Sequence, residues 1–418
     1  MPTARSEPVT VGVRRHGAVD TARGGGSPSV LRRVVGWALV GLAAQLVVVG
    51  VFLVREKGNP EWFVHFGRSA SVLPLARQAL GPDLLVPNPH GSDGQAYWAL
   101  ARDPLLLHPA QNAAYTDRPV YRAQRVLYPA LAAPFRLLGE RALLWGLIIV
   151  NLVAVLIGGI VTGLLSVELG GPAVLALAFI VNPAPVVSTV ADMSDGVALC
   201  ALVAAVLALV RGRRGWALVA GALAVLAKEP SLFGLLGVAL LAPRPRRDAA
   251  TPDGGAGLQW GTRIRLVVVP GLVAVAWAIY IRWRLHWPKP SIQEFSAPFV
   301  GYIDAWGRFW WRVGNWSDAA VAFLLLPAAA VVVLLWWHRR SLLLAAAVPF
   351  ALIVPFESAQ VLNVAINSLR AFAPAVLFVL LDLGVWYRTR STGSPAAANL
   401  GGGRFIPAST ALRDILRR

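Results

Sequence analysis

Long apolar runs separated by short basic stretches organise this chain, and between them lie two polar segments rich in Trp and Tyr. Runs dominated by Leu, Val and Ala cover residues 34–54, 142–166, 172–190, 195–210, 216–242, 264–281, 319–337, 342–356 and 369–387. Several approach the ~20 residues that a helix needs to cross a bilayer, and none shows the period-two alternation of a membrane barrel. The pattern predicts an all-α, polytopic helical bundle.

The run at 216–242 is interrupted by Lys228-Glu229-Pro230. As one helix it would carry Arg244, Arg246 and Arg247 to the side opposite Arg211, Arg213 and Arg214; as two short helices it brings the chain back to the same side. Basic residues concentrate on the cytoplasmic side of membrane proteins. From residue 244 onward, the hairpin leaves most arginines inside, among them Arg339, Arg340, Arg388 and Arg390. It leaves Arg282, Arg284, Lys289, Arg308, Arg312 and Arg370 outside. The expected topology therefore has about ten membrane helices, including the short hairpin, with both termini cytoplasmic. At 1.5 Å per residue each hairpin arm falls short of the ~30 Å apolar core, so Lys228 and Glu229 are expected to line an interior space open to the outer side.

On this topology residues 55–141 and 282–318 are external loops, and most carboxylates lie on the outer side, where the chemistry is expected. Residues 1–30 and 391–418, with Gly24–Gly26 and Gly401–Gly403, read as disordered cytoplasmic tails around a membrane domain at 31–390. Residues 1–30 are polar and Gly-rich, so the run after Arg32-Arg33 reads as a retained first helix, not a cleaved leader.

Composition narrows the function classes. With 56% hydrophobic and 14% charged residues the chain is too apolar for an ordinary soluble globule. The net charge of +18 is spread over short loops and not along one soluble face, which fits a lipid bilayer and argues against nucleic acid. The single Cys200 excludes an intramolecular disulfide, and the six histidines lack metal-ligand spacing.

Candidate chemistry sits mainly in the first external loop. Ser92-Asp93-Gly94-Gln95 fits a capping box in which Gln95 reaches back to Ser92, opening a helix that runs to about Arg102 and stops at Asp103-Pro104. Asp93 then has two readings of equal weight: a first-turn acid favoured by the helix dipole, or a functional carboxylate beside Tyr97 and Trp98. Farther on, Arg122 and Arg125 lie in an aromatic stretch with Tyr121 and Tyr128, suited either to binding phosphate or to reaching headgroups. Asp192 and Asp195 open the run at 195–210, as helix caps or as ligands for a metal ion or an acceptor hydroxyl. Lys228 and Glu229 either neutralise each other or present a cation to phosphate. Arg370 is a second such cation, sharing a helix face with Asn363 and Asn367 if the last helix begins early enough.

Taken together, Asp93-Gly94-Gln95-Ala96-Tyr97, the Tyr121-x-x-x-Arg125-x-Leu127-Tyr128-Pro129 stretch, the acids after the third run, the Lys228-Glu229 hinge and the late Arg370 resemble the GT-C superfamily. These are integral-membrane glycosyltransferases that use polyprenyl-phosphate-linked sugars, and the likeness, over roughly residues 30–390, is greatest to bacterial members serving cell-surface glycopolymers. It implies sugar transfer to a cell-envelope glycan or lipid acceptor at the outer face of the cytoplasmic membrane. It further implies that Asp93 is the catalytic base and that Lys228 and Arg370, with Arg125, hold the carrier phosphate. Gln95, Tyr97, Arg122, Tyr128 and Glu229 complete the expected substrate site, with Asp192 and Asp195 as candidates for acceptor or metal binding. No glycine-rich phosphate loop calls for a nucleotide cofactor, and a divalent cation is left open. Many members carry a large C-terminal soluble domain absent here, which would leave acceptor recognition to the two loops. Two other readings stand beside this one: a transporter or flippase of a lipid-linked or polar solute, which broken helices favour and the lack of an internal repeat does not, and a non-catalytic envelope-assembly subunit.

Overall fold

The computed structural model describes residues 28–243, 258–286 and 294–391. Over these residues the chain is all-helical, and its extended pairing is confined to two isolated bridges, Gly67 with Asn88 and Phe295 with Glu357. The tails at 1–27 and 392–418, and the basic stretch that includes Arg244, Arg246 and Arg247, lie outside the described residues, as does Lys289.

Among the described residues five helices are long and apolar enough to cross a membrane: Pro28–Arg55, Glu140–Glu168, Trp260–Arg284, Trp316–Arg339 and Ala365–Ser391. Length and composition thus account for five of the about ten membrane helices expected. The number rises to six if Ala173–Ile180 and Pro183–Ala191, bent by 48°, form one span. The remaining apolar runs form the shorter helices Asp195–Val210, Arg214–Ala227, Ser231–Leu241 and Leu342–Leu352. A helix of 16 residues such as Asp195–Val210 reaches only about 24 Å at 1.5 Å per residue. It is packed inside the bundle through Leu199, Leu202, Val203 and Val206. By contrast, Trp260–Arg284 turns Ile264, Val268, Leu272, Val275 and Ile279 outward, an apolar stripe at helical spacing that a lipid phase would cover.

Two breaks shape the interior. At Asn182 the apolar run over 172–190 stops and restarts, because Pro183 and Pro185 cannot continue the preceding ladder. The freed groups are met from elsewhere. Asn182 accepts from Ala184 N–H at 3.0 Å and donates to the Ala373 carbonyl at 2.8 Å, while Gln45 donates to the Ile180 carbonyl at 2.9 Å. The second break is the Lys228-Glu229-Pro230 hinge between Arg214–Ala227 and Ser231–Leu241. Here the chain reverses: a methyl group added at Gly221 would lie 3.0 Å from Leu235 Cδ1, a meeting of positions equidistant from Lys228 that one continuous helix would hold far apart. The second arm ends where the Arg263 guanidinium takes the carbonyls of Ala239, Ala242 and Pro243 at 2.8, 2.9 and 2.9 Å, satisfying the open carbonyls of a helix C-terminus.

The first loop folds as a cap of short helices over the bundle. Phe66, Trp98, Tyr97 and Tyr128 bury against Leu143, Leu144 and Leu147 of Glu140–Glu168 and Val197 of Asp195–Val210. Polar contacts fix the docking, with Asn151 donating to Tyr128 Oη at 2.9 Å and to the Ser188 carbonyl at 2.8 Å. The second loop is held to the segment before the last helix. Ser296 N–H donates to the Phe356 carbonyl at 2.8 Å, Phe299 N–H to the Pro355 carbonyl at 2.7 Å and Ser358 N–H to the Glu294 carbonyl at 3.0 Å.

Candidate functional site

Where the cap, the hinge and the last helix meet, a cavity of about 190 Å³ lies between Asp93, Arg125, Asp195, Lys228, Glu357 and Arg370. Arg118, Tyr121, Glu294 and Asn367 line it as well, and apolar wall is supplied by Leu199, Leu202, Phe350, Ile353 and Pro374. Charged groups and hydrocarbon thus share one cavity.

Asp93 is the first residue of the helix Asp93–Arg102, whose N-cap is Ser92; Ser92 Oγ accepts from Gly94 N–H at 3.2 Å. The reciprocal half of the expected capping box is absent. Gln95 accepts from Gly67 N–H at 3.0 Å and donates to the His90 carbonyl at 3.1 Å, so it braces the loop and does not close back on Ser92. Gly94 permits the close approach of this helix start: a methyl group there would sit 2.8 Å from the Ala191 carbonyl oxygen and 2.9 Å from that of Val64.

The Asp93 carboxylate pairs with the Arg122 guanidinium and lies 3.4 Å from Arg370 Nη2. Arg122 is in turn gripped by Asp117, Nε to Oδ1 at 3.2 Å and Nη2 to Oδ2 at 3.1 Å. Burial alone would raise the Asp93 carboxyl, but Arg122, Arg370 and Arg125 together outweigh it and hold the group well below the usual carboxylate range. At neutral pH Asp93 is an anion with low affinity for a proton.

Arg370 holds Asp195 with two nitrogens, and Lys228 pairs with the other Asp195 oxygen. Lys228 and Glu229 therefore do not neutralise each other. Glu229 binds Arg125 at 3.3 Å, and Arg125 also donates to Tyr121 Oη at 2.6 Å with its guanidinium carbon 4.4 Å from the Tyr121 ring centre. Burial pushes the Tyr121 hydroxyl up to about 12, with Arg125 acting against that rise, so it remains protonated. The last helix begins at Ala365, which excludes Asn363 from it; Asn367 alone accepts from Arg370, at 3.4 Å.

Other expected site residues lie apart from the cavity. Tyr97 is buried and bonded to Ser194 Oγ at 3.0 Å. Asp192 does not open a helix: it ends Pro183–Ala191 in a left-handed conformation, φ 47°, fully buried with Oδ1 3.4 Å from Tyr128 Oη. Asp192 and Asp195 consequently do not share a cavity mouth. Among the described residues no group of three or more His, Cys, Asp or Glu is arranged to hold a metal ion.

Sequence reasoning missed Asp117, Arg118, Glu294 and Glu357, and placed Tyr121 in a motif without giving it a role in the site. Arg118 and Glu294 pair at 3.0 Å between the segments 55–141 and 282–318, a partnership with no local signature. Glu357 did carry one: it is the only acid between Asp318 and Asp382, in otherwise apolar sequence. No family model, curated protein or solved structure matches the chain.

Proposed function

We propose that this chain is a membrane glycosyltransferase of the GT-C kind, moving a sugar from a polyprenyl-phosphate carrier to a hydroxyl of a cell-envelope acceptor at the outer face of the cytoplasmic membrane. The observation that carries this reading is the pairing, in one cavity, of two cations disposed for a phosphate, Lys228 and Arg370, with a carboxylate, Asp93, and with apolar walls suited to a lipid. The carrier phosphate would lie at Lys228 and Arg370, with Arg125 beside them.

In the reaction the acceptor oxygen attacks the anomeric carbon, its proton passes to Asp93, and the bond from that carbon to the phosphate oxygen breaks with its electron pair on the departing polyprenyl phosphate. Lys228 and Arg370 stabilise the charge that gathers on the phosphate. The low proton affinity of Asp93 fits this sequence only if the donor arrives first. A phosphate competes with Asp93 for Arg370, and once that cation turns to the phosphate, Asp93 recovers part of its basicity. The short helices Asp195–Val210, Arg214–Ala227 and Ser231–Leu241 would then complete the membrane domain around a wet outer vestibule, within the topology of about ten helices.

The test is transfer of a labelled sugar from polyprenyl phosphate in membranes containing wild type or Asp93→Asn. Loss of product with unchanged protein level supports the assignment, and wild-type turnover by Asp93→Asn sinks Asp93 as base. Movement of the carrier across the bilayer without glycosyl product would instead favour a transporter, the reading that the two broken helical segments beside the cavity support.

A further inference from the structure

Glu357 lines the cavity while only 2% of its surface is exposed, and neither of its carboxyl oxygens has a hydrogen-bond partner. Buried carboxylates are ordinarily satisfied, and an unsatisfied one calls for an explanation. Every other acid lining this cavity is paired: Asp93 and Asp195 with the cations described above, and Glu294 with Arg118. The position is fixed, not incidental. Phe295 and Glu357 form an extended bridge, the Glu357 carbonyl accepts from Ser296 Oγ at 3.3 Å, and a methyl group on Gly301 would strike that same carbonyl.

We propose that Glu357 is the group that receives the sugar of the donor, accepting hydrogen bonds from its hydroxyls, foremost the hydroxyl adjacent to the anomeric carbon. This rests on the carrier-dependent transfer proposed above and names the part of the substrate that the site recognises. The reasoning is spatial. Lys228, offered there to the phosphate, lines the same cavity as Glu357, and the hydroxyl nearest a glycosyl phosphate is the one beside the anomeric carbon. A free acceptor near the phosphate site therefore meets that hydroxyl first.

The groups around Glu357 agree with such a role. Ser368 on the last helix lies beside it without completing a hydrogen bond, Tyr302 senses it from Val300–Ala305, and Arg118, Glu294 and Arg370 share the cavity. Burial pushes the Glu357 carboxyl up to about 7, the Ser368 hydroxyl and Lys228 acting against the rise. A hydroxyl donated to it stabilises the carboxylate form, the stronger acceptor.

The experiment pairs a variant with a deleted hydroxyl. Full-length protein is assayed with polyprenyl-phosphate glucose, mannose, galactose and arabinose and the 2-deoxy form of each, in wild type and Glu357→Gln. For a sugar that wild type transfers, removing the hydroxyl is expected to lower kcat/KM by about tenfold to a hundredfold, the range for a hydrogen bond to a charged group. Glu357→Gln is expected to lower kcat/KM for the parent sugar by a similar factor and to treat parent and deoxy donors alike within about twofold. Inhibition by polyprenyl phosphate lacking sugar should be equal in the two proteins. If Glu357→Gln does not fold, Glu357→Asp withdraws the carboxylate by one methylene and should discriminate less than wild type. Retention of the full deoxy penalty by either variant overturns the assignment while leaving carrier-dependent transfer standing. Absence of transfer by wild type from every donor overturns both.

Discussion

Arg370 holds Asp195 across 175 residues of sequence, with Nε at 3.1 Å and Nη2 at 2.6 Å from one carboxylate oxygen. Removing the guanidinium leaves a buried carboxylate with Lys228 as its remaining partner. Arg370→Met should therefore destabilise the folded protein by about 3–5 kcal/mol, and Arg370→Met combined with Asp195→Leu should recover much of that loss. Chemical unfolding in detergent, followed by tryptophan fluorescence, reads both. Arg370→Lys should not substitute, because one ammonium cannot reproduce the fork that meets Asp195 and Asp93 together.

The helix starting at Asp93, the stop at Asp103, the bounds of Asp195–Val210 and the hinge at Pro230 were all legible, because each is written in a few adjacent residues that cap, break or bury. The partners of those residues were not. Glu229 finds Arg125 at a separation of 104 residues and Asp195 finds Arg370 at 175, so nothing near Lys228 and Glu229 in sequence could decide whether they neutralise each other or face other partners. The prolines after Asn182 marked the end of the helix before them, but not the distant partners there: Gln45, which donates to the Ile180 carbonyl, and the Ala373 carbonyl, which accepts from the Asn182 side chain.

Gly237 marks where the second hairpin arm touches Leu342–Leu352. A methyl group there would collide with the Ala345 carbonyl and come within 2.7 Å of Pro349 Cγ. Gly237→Ala should destabilise the protein by about 1–3 kcal/mol despite the better helix propensity of alanine. A lowered Tm for Gly237→Ala, beside a raised or at least undiminished Tm for Gly215→Ala, where nothing stands in the way, would show it.

Tyr128 Oη joins Asn151, the Leu147 carbonyl at 3.2 Å and Asp192. Tyr128→Phe removes that shared centre and leaves polar groups in a sealed place. A cost of about 1–3 kcal/mol is expected, measured by unfolding, with the cap loosening from Glu140–Glu168 as increased hydrogen exchange over 127–132.

Stability should depend on pH with opposite slopes from two carboxyls. Glu357 rises from 4.5 to about 7 on folding, so between those values the folded state holds the extra proton, and its stability falls as pH increases through that window. The full effect is on the order of 3 kcal/mol, and Glu357→Gln should abolish it. Asp93 is depressed on folding, so its contribution is present at neutral pH and is lost as pH falls below the ordinary carboxylate range. Unfolding midpoints of wild type, Glu357→Gln and Asp93→Asn, followed from pH 8 down through the carboxylate range to about pH 2, separate the two.

The hairpin of 14-residue and 11-residue arms fixes more than the path of the chain. An α-helix advances about 1.5 Å and turns about 100° per residue, so the height and facing of Lys228 are set by a count of residues back to Arg214. One residue inserted between them would lift the ammonium and swing it away from Asp195. The arm thus works as a gauge, translating chain length into the level at which a charged group stands, and the cavity that Lys228 lines is where that measurement is read.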